Sequence, residues 1–426
     1  MQIDQNLSNF SDIAVQTAFV VYCVALFMSL FYYGRMQGII EGRRAVKSQA
    51  AKVLVGAGAG GVDKQSYAGE VAQSSSGITE GELKEKERKA DKLGGMTSSL
   101  MWVGIALHAA AIVLRGLATG RFPFGNLYEY VLMVSFGVLL VGNIAMQRKE
   151  WRTVWPWLLT PVLALMFYGS TKLYAESAPV VPALQSHWLP IHVTVVSLGA
   201  SIGIISGIVS LLTLFRMAQP KHAEHGFFGA VARPLPSAAK IDQLAYRLAV
   251  ITLPTLGLGI ILGAIWAESA WGRFWGWDPK ETVSFATWIL YAAYLHARAT
   301  PAFRKAAPWI NVMAMALMVF NLFFINMVVS GLHSYAGLNL MAEHTSPRHK
   351  PGKPAGDNAV ILGLGAQFAE RRRELGILQQ QLADAAGISR STLHTIEHGG
   401  AGVRWEKITA VAEALGLEMR FVPKES

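Results

Sequence analysis

The chain has 426 residues, of which 52% are hydrophobic and 15% charged, and a formal net charge of +10. About a quarter of a soluble domain is charged, so this balance excludes an ordinary soluble enzyme and indicates a membrane protein. The one cysteine, Cys23, excludes an intrachain disulfide and a thiol-exchange role that needs a pair. Inside an apolar run it reads as a small buried residue.

A helix needs about 20 apolar residues to cross a bilayer. Runs of this kind fall at 13–33, 97–117, 127–146, 153–170, 191–215, 245–267, 282–297 and 308–331, the fourth and seventh being short. The expected fold class is all-α: a polytopic transmembrane bundle of about eight spans followed by a small soluble helical domain.

The first run follows Asp4 and Asp12 and has no basic n-region, so it is expected to persist as a helix, not to be removed as a signal peptide. With its flank it makes up residues 1–47. Arg35, Arg43, Arg44 and Lys47 follow the first run; Arg148, Lys149 and Arg152 follow the third. Arg216, Lys221, Arg233 and Lys240 follow the fifth, and Arg298, Arg304 and Lys305 the seventh. Basic loops face the cytoplasm. The expected protein is therefore multi-pass in a bacterial plasma membrane. Its N-terminus, the Asn126 loop, residues 171–190, the segment 271–281 and everything after 331 face outward. Arg115 and Arg121 fall on the outer side, against the trend.

Residues 48–95 are rich in Gly, Ala and Ser, then in Lys and Glu, and read as a flexible cytoplasmic linker. The string GAGAGG (56–61) follows no strand–helix unit and is not read as a nucleotide loop. GELKEKERKADK (81–92) suits a short solvated helix.

The chemistry concentrates in residues 96–340. WGRFWGWDPKE (271–281) crowds Trp271, Trp275 and Trp277, with Trp266 just before, between two apolar runs. Trp is common at membrane interfaces, but sparsely. A dense flat aromatic surface, with Gly272 and Gly276 for close backbone approach, suits a large planar ligand, porphyrin above all. Neutral imidazole is a common axial ligand of haem iron. His192, at the outer start of the fifth run, and His333, at the outer end of the eighth, flank the aromatic run and could hold one haem between them. His296 lies at the cytoplasmic end of the seventh run, where an ionisable group is functional by default. Arg273 could meet a haem propionate. Asp278 could orient an imidazole, bind a partner or form a loop salt bridge. His108 reads as structural, His187 as a loop residue, and His222 and His225 as solvated. No nucleophile–base pair is apparent, so no catalytic residue is expected.

Residues 341–358 read as a second linker and 359–426 as a small soluble domain. QQLADAAGISRSTLHTIEHG resembles the helix-turn-helix of phage repressors. Arg390, Ser391 and Thr392 would begin its recognition helix, whose first turn enters the major groove, and Arg371–Arg373 could touch phosphates. Two observations oppose nucleic-acid binding. Eight spans starting outside leave the tail outside, and residues 340–426 hold 11 Lys/Arg against 10 Asp/Glu, a poor balance for phosphate neutralisation. Either one span is miscounted, or the domain no longer binds DNA, or it is a fusion. The tail is expected to be dispensable.

PFGNLYEYVLM (123–133), HWLPIHV (187–193), the tryptophan-rich run, WILYAAYLHAR (288–298) and SGLHSYAG (330–337) together resemble the CcsA/ResC family of System II cytochrome c biogenesis, with its tryptophan-rich WWD haem-handling domain. The resemblance covers roughly 97–337. It implies that haem b is bound as substrate and presented on the extracytoplasmic face for thioether attachment to the Cys-x-x-Cys-His site of an apocytochrome c. The protein would then be a probable subunit of a cytochrome c synthase. His192 and His333 match the family's outer haem ligands, and His296 its intramembrane ligand. A ResB/CcsB-type partner would supply the other ligand there, and a thiol-reducing thioredoxin-like protein would prepare the substrate. Two alternatives stay open: a haem transporter or chaperone with no ligation role, and a membrane-tethered DNA-binding regulator.

Overall fold

The computed structural model describes residues 3–58, 80–178, 186–327, 359–400 and 402–418. Among these the regular elements are helices, with no strand. They are α1 (Gln5–Gly58), α2 (Glu80–Thr119), α3 (Leu127–Ala145), a 3-10 turn (Lys149–Val154) leading into α4 (Trp155–Lys172), α5 (Trp188–Ala218), α6 (Gly226–Ala232), α7 (Ala238–Trp271), α8 (Pro279–Ala299) and α9 (Ala307–Phe320). A π-helical turn (Asn321–Ile325) extends α9. After the second linker come α10 (Ala359–Glu374), α11 (Gln379–Ala385), α12 (Arg390–Glu397) and α13 (Trp405–Ala414). Residues 1–341 and 342–426 are two compact units.

Among the described residues six helices are long and apolar enough to cross a membrane: Gln5–Ser48, Glu80–Thr119, Leu127–Ala145, Trp188–Ala218, Ala238–Trp271 and Ala307–Ile325. The other two expected spans are present as α4 and α8 but fall outside that set. α4 has 18 residues with Pro161 inside it. α8 opens with Lys280 and Glu281 and ends with His296 and Arg298.

The described parts of 48–95 differ from a flexible linker. Residues 48–58 continue α1, and 80–95 begin α2. The two helices run antiparallel: Ser11 Oγ donates to the Ala111 carbonyl at 2.8 Å near one end, and Arg43 pairs with Glu87 at 2.7 Å near the other. At 54 residues, α1 is roughly 80 Å long, far beyond a hydrocarbon core of about 30 Å. The face that α2 buries is Leu83, Ala90, Gly94, Thr97, Met101, Gly104, Ile105, His108, Ala111, Arg115 and Ala118. Apart from Ile105, beside Gly104, these residues from Ala90 onward fall at the three-and-four steps of a coiled-coil seam. Beyond the membrane, Leu83, Ala90 and Leu93 pack on Tyr32, Met36 and Ile39.

α5 and α7 make the closest contact in the bundle that concerns the site. A Cβ on Gly199 would lie 3.0 Å from the Leu256 nitrogen, and one on Gly259 would lie 2.9 Å from the Val196 Cα. Backbone meets backbone there. Small residues at such positions let membrane helices pack when no hydrophobic force distinguishes helix from lipid.

At the tryptophan-bearing end, a buried ion cluster ties α1, α2 and α3 together. Arg115 and Glu129 have fully buried side chains and pair at 3.1 Å. Arg115 also meets Asp12 at 3.2 Å and donates to the Ala175 carbonyl. Arg121 meets Glu129 at 2.9 Å. Glu129 also accepts from the Gly125 amide at 2.7 Å, while Asn126 caps α3 by accepting from the Glu129 amide at 2.8 Å. The NLYE string is thus an Asn helix cap in the middle of an ion cluster. The two arginines that opposed the basic-loop trend are neutralised internally and are not loop charges. Removing one partner of a buried pair costs about 3–5 kcal/mol. Glu129→Ala should therefore lower the thermal midpoint of the detergent-purified protein sharply, while Arg43→Ala, at an exposed pair, should barely change it.

The C-terminal unit has its own core of Phe368, Leu382, Leu393, Ile396, Val411 and Leu415. α11 and α12 join through Gly387, at φ +63°, and Ser389 caps α12 by accepting from the Thr392 amide at 3.2 Å. Glu397 takes Arg372 at 2.6 and 3.2 Å and Gln379 at 2.6 Å. Burial pushes the Glu397 carboxyl up, but these donors, Arg372 first, outweigh it and hold it below the ordinary Glu range. A depressed carboxylate contributes stability that is complete above its unfolded pKa and is lost as pH falls through the folded one. Acidification below the ordinary Glu range should therefore raise amide exchange across α10–α12. Glu397→Gln should remove that pH dependence.

Candidate functional site

A cavity opens where the N-terminal turns of α3, α5 and α8 meet the end of α7. Its cavity volume is about 140 Å³, set within about 980 Å³ of space that includes the open solvent at its mouth. Leu127, Leu189, Val196 and Ile260 form its apolar wall, Trp266, Phe274 and Trp275 its aromatic side, and His192, Lys280, Glu281, Ser284, Asn126 and Asn326 its polar groups.

His192 lies one turn into α5, with Nδ1 2.8 Å from the Gly259 carbonyl of α7. A carbonyl can only accept, so Nδ1 carries the proton and the neutral ring has its lone pair on Nε2. Its ring stacks on Trp266, with centroids 5.9 Å apart and planes 9° apart. A Cβ on Gly263 would stand 2.6 Å from His192 Cε1, so the glycine makes room for the imidazole. Trp266 itself is 2% exposed.

The run 271–281 is a helix end, a loop and a helix start. Gly272 caps α7 in the left-handed conformation at φ +69°. Asp278 caps α8 with Pro279 at the first helical position. Glu281 accepts from the Asp278 amide at 3.1 Å and the Gly276 amide at 2.9 Å. Asp278 accepts in turn from the Lys280 amide at 3.2 Å, completing a capping box. Arg273 pairs with Glu281 at 3.1 Å, which directs it away from the ligand role expected of it.

The three expected tryptophans do not make one flat platform. Rings prefer edge-to-face contacts, and these disperse them. Trp271 packs edge-on behind Trp266 at 4.7 Å. Trp275 lines the cavity and meets Trp277 at 5.7 Å and 89°. Trp277 is 68% exposed and sits at φ +56°, a left-handed conformation that costs a bulky residue about 1–3 kcal/mol.

His333 lies outside the described residues. His296 is exposed and stands sixteen residues along α8 from Lys280, about 24 Å down the axis, so it belongs to the opposite end of the helix. Near that end Arg216 and Arg44 hold Glu224 at 2.9 Å each. Burial pushes its carboxyl up, but the two guanidinium groups outweigh this and bring it to about 2. Among the described residues no group of three or more His, Cys, Asp or Glu could hold a metal ion. His108 is buried between the ring edges of Tyr22 and Phe136. In the tail, Arg390 and Ser391 are exposed, while the hydroxyls of Ser391 and Thr392 bond to Ser389 at 2.9 and 2.8 Å.

Sequence reasoning placed Trp266 just before the aromatic run but gave no role to the cavity residues Lys280 and Asn326. Lys280 sits inside the motif but gives no sign of its direction. Asn326 shows only as an amide inside an apolar run.

An all-helical, multi-pass membrane protein with an imidazole and aromatic rings around one end cavity is the class that these features define. Residues 124–333 match the cytochrome c assembly protein family, and 363–420 match a helix-turn-helix domain family. The cytochrome c biogenesis protein CcsA of Guillardia theta is 34% identical over 53% of this chain and 80% of that protein. The CcsA of Porphyra purpurea is 30% identical over 58% and 88%, and that of Synechococcus sp. (strain RCC307) is 30% identical over 54% and 81%. The chain belongs to the CcsA family of cytochrome c biogenesis proteins, with a helix-turn-helix domain at its C-terminal end.

The capping box separates two roles for Asp278. Asn caps a helix about as well as Asp, whereas Ala costs about 1 kcal/mol. Asp278→Asn should therefore keep stability and cytochrome c maturation near wild type, and Asp278→Ala should lower both. Equal loss in both variants, in a maturation assay with membrane levels matched, would show that the charge itself is required.

Proposed function

We propose that this cavity holds haem b as substrate and presents it for covalent attachment to apocytochrome c. One observation carries the reading: His192, its tautomer set by the Gly259 carbonyl, stands in a cavity walled by Trp266 and Trp275. A metal-bound imidazole commonly gives its other N–H to a carbonyl or carboxylate, which fixes ring direction and raises ligand basicity. The Gly259 bond is already in that form, and the apolar wall suits a macrocycle.

In this reading His192 ligates and orients, Trp266 keeps the imidazole flat, Trp275 covers a ring face, and Trp271 supports Trp266. Trp277 and Asp278 hold the loop that closes the cavity. His333 would supply the second outer ligand. His296, exposed on α8, would meet a ResB/CcsB-type partner and form part of a separate site. Thioether formation adds a substrate S–H across a haem vinyl group; the substrate thiols and the vinyl groups supply that chemistry, the protein orientation and shelter. A thioredoxin-like reductant keeps the thiols reduced. The basic loops at the other end favour an extracytoplasmic cavity in a bacterial plasma membrane. The tail takes no part.

His192→Ala should lower haem occupancy in absorbance spectra of the purified protein and abolish holocytochrome formation, and added imidazole should restore part of the spectrum. Full occupancy and full maturation in this variant would overturn the assignment. Normal occupancy changes with wild-type attachment would favour a haem carrier without a ligation role.

A further inference from the structure

We infer that Lys280 forms a carboxylate subsite at one edge of the cavity, making the site selective for a tetrapyrrole diacid over its neutral ester. This rests on the porphyrin reading above and names which group on the ligand is recognised and by which residue.

Lys280 lines the same cavity as His192 and Trp275. Its ammonium donates to the Asn326 side-chain oxygen at 2.7 Å and stands 5.9 Å from the Tyr130 ring centroid, within cation–π range. Both neighbours are neutral. An ammonium has three donors and no acceptor, so the bond to Asn326 leaves donors to offer. A partly buried charge is costly when no opposite charge meets it in contact; Asp278 attracts the ammonium through space, and the bonds of both nearby carboxylates go elsewhere. Glu281 serves Arg273 and two backbone amides. Asp278 caps the Lys280 amide.

The direction of Lys280 is built from a second helix. The π-helical turn Asn321–Ile325 widens the end of α9, so that Asn321 donates to Ser284 at 2.8 Å and Asn326 donates to the Leu322 carbonyl at 2.6 Å. Asn326 therefore presents its oxygen, not its nitrogen, to Lys280. Such turns concentrate at functional sites. Arg273, the cation that sequence favoured for this task, does not line the cavity.

The test uses the full-length protein in detergent, with metal-free protoporphyrin IX and its dimethyl ester followed by fluorescence. A metal-free ring makes no axial bond, so His192 contributes no iron ligation to the measurement. Wild type should bind the diacid more tightly. Lys280→Met should weaken diacid binding by about ten- to a hundredfold and leave ester binding unchanged. Partition into detergent cancels in the ratio between the two proteins. Lys280→Arg should regain most of the discrimination, and matched thermal midpoints exclude misfolding. Equal binding of diacid and ester by wild type, or equal loss of both in Lys280→Met, overturns the subsite while leaving the porphyrin cavity standing. Failure of wild type to bind either ligand overturns both.

Discussion

The site depends on how closely α5 and α7 approach each other. In a membrane, lipid solvates an apolar helix face as well as another helix does, so contact must come from fit. Gly199 and Gly259 remove the side chains that would hold the two backbones apart. Only at that separation does the His192 ring reach the Gly259 carbonyl and lie over Gly263 and against Trp266. The direction of the imidazole is a property of helix packing, and the tryptophan-rich loop adds to a geometry already set.

The second constraint is that polar groups away from water need partners. Two of the chain turns that border the cavity are closed by a carboxylate. Glu129 closes the entry to α3, accepting the amide of Gly125 just before the cap, and Glu281 the entry to α8, accepting the amide of the cap Asp278; each also meets a guanidinium. The Asn-x-x-Glu and Asp-Pro-x-Glu strings are related devices. Each sets where an aromatic or cationic cavity residue begins its helix: Tyr130 follows Glu129, and Lys280 precedes Glu281.

What could be read from sequence follows from the range of each interaction. Apolar runs are local, so the helices were legible, as was His192 beside an aromatic segment; the caps at NLYE and DPKE are equally local but were not read as caps. The Lys280–Asn326 bond spans 46 residues, and no spacing announces it. Rings in sequence suggested a stack, but edge-to-face preference separates Trp271, Trp275 and Trp277. Charge obscured the α1–α2 hairpin. GELKEKERKADK looks solvated, yet Leu83 and Ala90 continue a seam that runs on to Ala118, and its polar members Thr97, His108 and Arg115 break the apolar pattern. The fourth and seventh runs were borderline because α4 is short and α8 is polar at both ends.

The loop over the cavity has a kinetic consequence. Glu281 stitches it to α8 through two backbone amides and Arg273, so lifting it breaks several bonds together, the kind of rearrangement that takes microseconds or longer. Phe274, 60% exposed, lines the cavity from that loop, and exposed rings reorient in picoseconds to nanoseconds. The frame around the cavity therefore changes far more slowly than the exposed Phe274 ring turns beside it.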